Sequence, residues 1–269
     1  MKGSILTLVV AGLLAGCPVS SIAVTLNPQA TPSDLAEAVD AARRVGHQIF
    51  LFDKAASDAN DAIIRFTGGR PDPRVGGWLV ERKAGDLLVT FFKEAGGHLS
   101  PVYRVRPTGG SSVEAAEASA VATDAEASMW RARKTALATN FTRCANSYNT
   151  VVLPGDVAGR PGWLVYLLPA GSPTDALLVG GYYRVEVSRD GERALDTMAF
   201  AKTCLAVSTK ADPARGTVIG LYFTHLLSDA PAESHVFLSE RRGQPLFVGT
   251  PRGVWKVTAD EITFMGKAE

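Results

Sequence analysis

Cysteine and histidine are scarce in this sequence, which has three cysteines and four histidines among 269 residues. Cys144 and Cys204 stand alone rather than in closely spaced pairs, so the chain has no tetrahedral zinc-binding pattern. A Gly-x-Ser-x-Gly nucleophile elbow is absent, and the glycine clusters lack the Walker lysine and the dinucleotide-binding spacing. We therefore expect no cofactor, and a Ser/His/Asp triad would need residues from distant parts of the chain.

An excess of charge of either sign is also missing, because 28 Lys and Arg nearly balance 27 Asp and Glu and give a net charge of +1. No bulk field would draw the chain to nucleic acid or to an anionic membrane, so we expect no nucleic-acid partner. After the first segment, no apolar run approaches the roughly 20 residues that span a bilayer. Membrane contact is therefore expected only through an attached lipid.

The first segment has the pattern of an export signal. Lys2 precedes an apolar run from Ile5 to Ala15, which has the length of a signal-peptide core and is too short to span a bilayer. At the end of this run, Leu14-Ala15-Gly16-Cys17 resembles the lipobox of bacterial lipoproteins. The resemblance implies that residues 1–16 are removed and that the Cys17 thiol is acylated, for example with palmitate.

A second cleavage position stays open. Ser21-Ile22-Ala23 offers small residues to an ordinary signal peptidase, and Pro18 is not the usual neighbour of a lipidated cysteine. Cleavage after Ala23 would give a periplasmic or secreted protein, whereas the lipobox predicts a protein tethered on the periplasmic side of the inner or outer membrane. Both alternatives export the chain from the bacterial cytoplasm.

Two thiols remain after either cleavage, in a compartment where disulfides persist. The sequence therefore predicts a Cys144–Cys204 disulfide, with two free buried thiols as the alternative. On the chain-entropy model, a bridge that closes a loop of about 60 residues stabilises the fold by roughly 4 kcal/mol.

The chain after the signal is long enough for two modest domains, which we predict over 24–107 and 123–269 with a Gly-, Ser- and Ala-rich linker over 108–122. In the first domain, Thr31 is expected to cap a helix that Gly46 ends. The next segment is compatible with helix or strand, and its alanines and aspartates favour helix. Period-two patterning then predicts an antiparallel meander with strands at 78–82, 87–93 and 102–106.

The second domain repeats this order. Thr123 and Glu126 form a capping-box pattern for a helix that runs to about Thr139. Asp190-Gly191 predicts a hairpin turn. A strand, a short helix capped by Ser234 and ended by Gly243, and a final hairpin close the chain. The predicted strands are at 150–153, 163–168, 176–179, 182–188, 217–227, 246–249, 254–257 and 262–264.

The fold class predicted is α+β, with two helix-plus-antiparallel-meander units and a C-terminal segment of strand, short helix and hairpin. Gly77-Trp78-Leu79-Val80 recurs as Gly162-Trp163-Leu164-Val165, which is compatible with a duplication or with chance. In architecture, each helix-wrapped meander resembles the cystatin and PepSY class of small folds. This resemblance is an analogy without a diagnostic motif.

Four ionisable residues, His225, Asp229, Glu233 and His235, lie within eleven positions at the end of a predicted strand. Strand-end loops often carry sites, and these side chains are possible metal ligands or acid/base groups. Their spacing matches no zinc signature, and Pro231 prevents the stretch from forming one helix face. A structural role in a turn and at a helix start is the favoured interpretation.

Compartment, anchor and the missing catalytic motifs favour a binding protein over an enzyme. We expect an exported, lipid-anchored envelope protein that binds an envelope protein or a wall component. One concrete form is an inhibitor or immunity-type lipoprotein that blocks a wall-degrading enzyme or a delivered toxin. The alternatives are a metal-dependent envelope hydrolase that uses the cluster at 225–235, and a structural subunit of an envelope complex.

Overall fold

The structure is a computed structural model and describes residues 28–107, 111–171, 176–208 and 220–267. The predicted signal at 1–16 and Cys17 lie outside these residues. Mixed helices and largely antiparallel sheets confirm the predicted α+β class. The resemblance to cystatin and PepSY folds stays a prediction.

A short 3-10 turn, Ser33–Leu35, leads into the first helix. Within the described residues there are three α-helices and fourteen strands. Their bounds are α1 Ala36–Phe66, β1 Gly77–Lys83, β2 Asp86–Ala95, β3 His98–Arg106, β4 Ser112–Ala115, α2 Asp124–Leu137, β5 Ser147–Val157, β6 Arg160–Ala170, β7 Ala176–Leu178, β8 Tyr183–Ser188, β9 Ala194–Ala199, β10 Ala206–Ser208, β11 Leu221–Thr224, α3 Glu233–Arg242, β12 Leu246–Thr250, β13 Gly253–Val257 and β14 Ile262–Phe264.

The chain divides into two compact units. The terminal unit contains the described residues up to Gln48, residues 176–177 and the described residues from Val207 onwards. The central unit contains the described residues of 49–174 and 178–206. The division falls inside α1 and not at the predicted linker 108–122, which itself contributes β4 to a sheet. None of the described helices is both long and apolar enough to cross a bilayer.

Helix α1 continues through Gly46, where the sequence predicted a stop. A Cβ at this position would lie 2.5 Å from the carbonyl oxygen of Glu233 and 2.5 Å from the Cβ of Val236. Gly46 therefore serves the close approach of α1 and α3, a long-range contact that local patterning does not reveal. The segment 47–66 is helical, as predicted, and Thr31 does not cap the helix because the turn before it begins after Pro32.

In the central unit, β1, β2, β3 and β4 form an antiparallel sheet in chain order, which confirms the first meander. A second antiparallel sheet has the order β5-β6-β8-β9. The repeated Gly-Trp-Leu-Val sequence occupies different places in the two sheets, because β1 is an outer strand and β6 lies between β5 and β8. The helix-then-sheet order recurs, but this short identity does not mark equivalent strands.

Helix α2 begins as predicted, because the Thr123 hydroxyl accepts from the Glu126 amide and the Glu126 carboxylate accepts from the Thr123 amide. The buried face of α2 packs in a single hydrophobic core that also contains residues of both sheets of the central unit. Leu79 and Phe92 from the first meander belong to this core. This core therefore includes residues from both predicted domains, 24–107 and 123–269, and the boundary between those domains stays a prediction. The other members include Met129, Trp130, Ala132, Trp163, Val165, Leu167, Tyr183, Val185 and Val187.

The Cys144–Cys204 disulfide is formed, as predicted, with Cα atoms 5.3 Å apart. The chain passes close to it at Gly181, where a Cβ would lie 2.6 Å from the Cβ of Cys144. Gly181 also has a φ of +88°, a conformation that glycine adopts without steric cost. Two conditions therefore require glycine beside the bridge.

In the terminal unit, β11 and β12 are parallel and are connected by α3, while β13 and β14 add antiparallel strands. The helix begins after Ala232 rather than at the predicted cap Ser234, which is buried in its first turn. It ends at Gly243 with a φ of +63°, as predicted. The edge strand at 262–264 is also confirmed, whereas the predicted strand 217–227 is limited to β11 in its described part.

Candidate functional site

The two histidines of the predicted cluster are in contact in the terminal unit. His225 follows β11, and His235 lies in the first turn of α3. Their ring centroids are 4.6 Å apart in an edge-to-face arrangement, and the ring of Phe223 lies 5.4 Å from that of His235. Both histidines are buried. The structure therefore places the two histidines inside the β11–α3 connection rather than on an open surface.

A hydrogen bond occupies one ring nitrogen of each histidine. His235 Nδ1 accepts from the Ala232 amide at 2.9 Å, so this nitrogen carries no proton. Burial, with a smaller contribution from the charge of His225, lowers the pKa of His235 from 6.5 to about 3. His235 is therefore a neutral imidazole at pH 7 with its proton on Nε2.

His225 Nε2 lies 2.9 Å from the Ser228 hydroxyl, which donates its proton to the carbonyl of Ala230 at 2.6 Å. Because a hydroxyl has a single proton, the Ser228 oxygen accepts from His225 rather than being deprotonated by it. His225 is therefore not placed to take a proton from Ser228 as a catalytic base would. The two hydrogen bonds instead connect residues 225, 228 and 230 within the loop.

The two acids of the cluster are placed differently along the chain. The Asp229 side chain is 50 % exposed and lies 4.0 Å from Arg252, which also pairs with Asp34 at 2.8 Å. Glu233 is the first residue of α3. Within 28–107, 111–171, 176–208 and 220–267, no group of three or more His, Cys, Asp or Glu is arranged to hold a metal ion.

The loop that these bonds hold carries two exposed leucines. Leu226 is 71 % exposed and Leu227 is 42 % exposed. The Thr250 hydroxyl, which donates to the carbonyl of Asp229, ties the loop to β12. Both leucines are therefore held at the surface by a loop that is bonded to the rest of the terminal unit.

A pocket of about 310 Å³ lies next to Leu226, on the sheet face opposite α3. Phe223 contacts His235 of α3, and side chains alternate along a strand, so Tyr222 and Thr224 face the other way. Thr224, Gly249 and Val254 are neighbours across three strands and line the floor. Pockets for small ligands begin at about this volume.

Gly249 makes room for Tyr222. A Cβ at Gly249 would lie 2.5 Å from the Tyr222 hydroxyl oxygen, so the phenol passes directly over this backbone. Val254 and Met265 form a small apolar cluster on the same face, and Tyr222 packs against it. The tyrosine is therefore fixed as part of the pocket lining.

Three polar groups of the pocket are free to bind, whereas the Thr250 hydroxyl, which also lines it, is engaged with the loop. The Tyr222 hydroxyl, the Thr224 hydroxyl and the Lys267 ammonium line it, and none of them has a hydrogen bond or an ion pair with another described residue. Lys267 is the one charged side chain in this lining. The pocket therefore offers donors and a positive charge without a carboxylate.

A buried carboxylate in the terminal unit was not anticipated from the sequence. The Glu240 side chain on α3 is 4 % exposed, and both its oxygens lie 3.0 Å from His47 Nδ1 on α1. Burial raises the pKa of Glu240, the bond from His47 opposes this shift, and Asp260 adds to it. The two residues are 193 positions apart, so no motif spacing signals the pair.

A broader groove of about 550 Å³ lies in the central unit between the end of α1 and the start of β4. Phe66 and Arg65 form part of its wall, and Phe66 is 58 % exposed. The nearby loop is fixed by Asp72, whose pKa is held well below its usual range by hydrogen bonds from Arg74 and Tyr103. With walls from only two elements, this feature is a groove rather than a closed pocket.

Three of the four tryptophans, Trp130, Trp163 and Trp255, are buried, and Trp78 is half-buried. The guanidinium of Arg133 lies 5.1 Å from the ring centre of Trp130 and 6.0 Å from that of Trp78, and it donates to Thr150. Burial lowers the pKa of Arg133. These tryptophans contribute to the core and its edge rather than to a ligand groove.

No protein-family model matches the chain, and neither the curated proteins nor the solved structures contain a significant match.

Proposed function

We propose that this chain is an exported, lipid-anchored protein of the bacterial envelope that binds another envelope molecule, in the manner of an inhibitor or immunity-type lipoprotein. The observation that carries the proposal is the pocket beside the exposed Leu226, with its unpaired hydroxyls and lysine. A surface that combines apolar side chains with free polar groups suits recognition, and it needs no reacting group.

The proposed location rests on two features. Leu14-Ala15-Gly16-Cys17 resembles a lipobox at the end of an apolar run, which implies export and acylation. The Cys144–Cys204 disulfide suits an oxidising compartment, because disulfides are rare where thiols are kept reduced.

Binding is preferred to hydrolysis because the Ser228 hydroxyl and one ring nitrogen of each histidine are engaged within the loop. His235 Nδ1 accepts a backbone proton, and Ser228 donates its proton away from His225. A metal-dependent hydrolase needs ligands with free electron pairs around an open coordination position. The hydrogen bonds of His225 and His235 support a structural role in which the two side chains stabilise the loop.

The anchor can be tested by labelling cells that express the full chain with an alkyne analogue of palmitate. Wild type is expected to incorporate the label and to sediment with membranes, and Cys17→Ser is expected to lose both properties. Label in the Cys17→Ser variant, or unlabelled wild type, would refute lipidation at this residue. A wild type that remains in the cytosol would refute export.

Binding can be tested with a photo-crosslinking amino acid at Leu226 in growing cells. We expect a discrete crosslinked product from position 226, because this side chain borders the pocket. The control position is Leu195 on β9, a leucine of the central unit that is 49 % exposed. Identical products from both positions, or no product from position 226, would argue against a binding surface there.

A further inference from the structure

We propose that the pocket lined by Tyr222, Thr224 and Lys267 binds the free C-terminal carboxylate of a peptide whose last side chain is small and apolar. This inference rests on the proposed function, since it names the chemistry that the envelope partner presents. It adds a ligand class to the pocket and assigns a role to each lining group.

Charge selects the anion. Lys267 is the one ionisable group in the pocket lining, and within the described parts of the chain it has no acidic partner. Nearby Arg252 is already neutralised, because it pairs with Asp34 and lies 4.0 Å from Asp229. A ligand with one negative charge would complete the pocket, whereas a cation would face an unpaired ammonium.

Hydrogen-bond capacity separates a carboxylate from other polar ligands. Lysine only donates, while the Tyr222 and Thr224 hydroxyls each donate one proton and also accept. A sugar ring presents many hydroxyl protons and is usually bound by carboxylates or amides, and no Asp, Glu, Asn or Gln lines this pocket. Three donors and a single positive charge match the two oxygens of a carboxylate.

The remaining lining is apolar apart from Thr250, whose hydroxyl is already engaged. Leu226, Pro251 and Val254 surround the polar groups, and the cavity measures about 310 Å³. A side chain the size of alanine or valine can be buried there, next to a carboxylate that meets Lys267. Phosphate is disfavoured, because it lacks an apolar part and is bound more often by arginine forks or by clustered backbone amides.

The test is calorimetric titration of the purified full chain, with its disulfide intact, with N-acetyl-alanyl-alanine. The same peptide with a C-terminal amide lacks the charge and has an NH2 donor in place of one acceptor oxygen. We expect the acid to bind at least tenfold more tightly than the amide, and Lys267→Gln to weaken binding of the acid by about tenfold, because an ion-assisted hydrogen bond is lost. Lys256→Gln is the matched control, since Lys256 lies on β13 of the same sheet outside the pocket lining, and it should bind as wild type does.

Tyr222→Phe and Thr224→Val each remove one hydroxyl with little change in shape, and each should weaken binding of the acid severalfold. Equal affinity for acid and amide, no binding of either, or unchanged binding by Lys267→Gln would overturn the inference. Tighter binding of glucuronate or inorganic phosphate than of the peptide would overturn it too. If the Leu226 crosslink forms in cells and survives Lys267→Gln, the proposed function stands and this inference fails. If Leu226 gives no crosslink, the proposed function itself fails.

Discussion

Replacement of His235 by Asn should remove a pH dependence from the stability of the terminal unit. The His235 ring is buried, its Nδ1 accepts the Ala232 amide, and its pKa is lowered from 6.5 to about 3. An asparagine oxygen can accept the same amide proton, but the side chain does not ionise. The variant therefore keeps the loop bond and loses the titration.

The change in the free energy of unfolding with pH follows from the difference in proton binding between the folded and unfolded chain. The unfolded chain binds a proton at His235 near pH 6.5, whereas the folded chain resists protonation until about pH 3. Stability from the neutral ring is therefore present above pH 6.5 and is lost as the pH falls towards 3. Between pH 7 and pH 5 only the unfolded chain takes up a proton at His235, because the folded pKa lies below this range. The free energy of unfolding therefore falls by about 2 kcal/mol over this interval.

Urea unfolding at pH 7 and pH 5, followed by tryptophan fluorescence, measures this difference. Trp255 is fully buried in the same unit and reports on it. The free energy of unfolding of wild type should fall by about 2 kcal/mol more than that of His235→Asn over this interval. Glu240 titrates in both proteins and cancels in the comparison. Equal pH dependence of the two proteins would refute the assignment of a neutral, buried His235.

Three further outcomes are expected. Glu240→Gln should reduce the loss of stability that wild type shows as the pH rises. A carboxyl with a raised pKa stabilises the fold below its unfolded pKa, and this contribution is lost as the pH rises through its folded pKa. Urea unfolding from pH 5 to pH 8 measures this, and a steeper pH dependence in the variant would contradict it. Replacing Cys144 and Cys204 by Ser should lower the free energy of unfolding by roughly 4 kcal/mol in urea, and an unchanged midpoint would show that the bridge is not formed in solution. Gly249→Val should destabilise by about 1–3 kcal/mol in thermal unfolding through its clash with Tyr222, and the added change Tyr222→Ala should restore part of the loss; no rescue would mean that the clash is elsewhere.

Local signals in the sequence predicted much of the secondary structure. The Thr123–Glu126 capping box and the glycine at the end of α3 are contacts within one turn, so the sequence contains all that is needed to identify them. Alternation along β8 placed Val185 and Val187 on the core face, as observed. The α+β class follows from the order of these elements, because each predicted helix is followed by a run of antiparallel strands.

Long-range contacts escaped prediction for physical reasons. Gly46 looks like a helix stop until α3 is placed against it, and only the β11–β12 register brings Tyr222 over Gly249. For the candidate site, closeness in sequence singled out His225 and His235, and the sequence favoured a structural role for them. It could not show that one nitrogen of each ring is engaged, because loop hydrogen bonds depend on the folded backbone.

The contact of Gly46 with Val236 fixes an order of events for a growing chain. Synthesis delivers Gly46 early, but its neighbour on α3 only after nearly the whole polypeptide has been made. Gly46 therefore has no α3 neighbour while the residues between them are being synthesised. A nascent chain that stalls before α3 leaves Gly46 without this contact. Folding of the terminal unit should therefore require nearly the whole chain, unlike folding of a protein built from successive local modules.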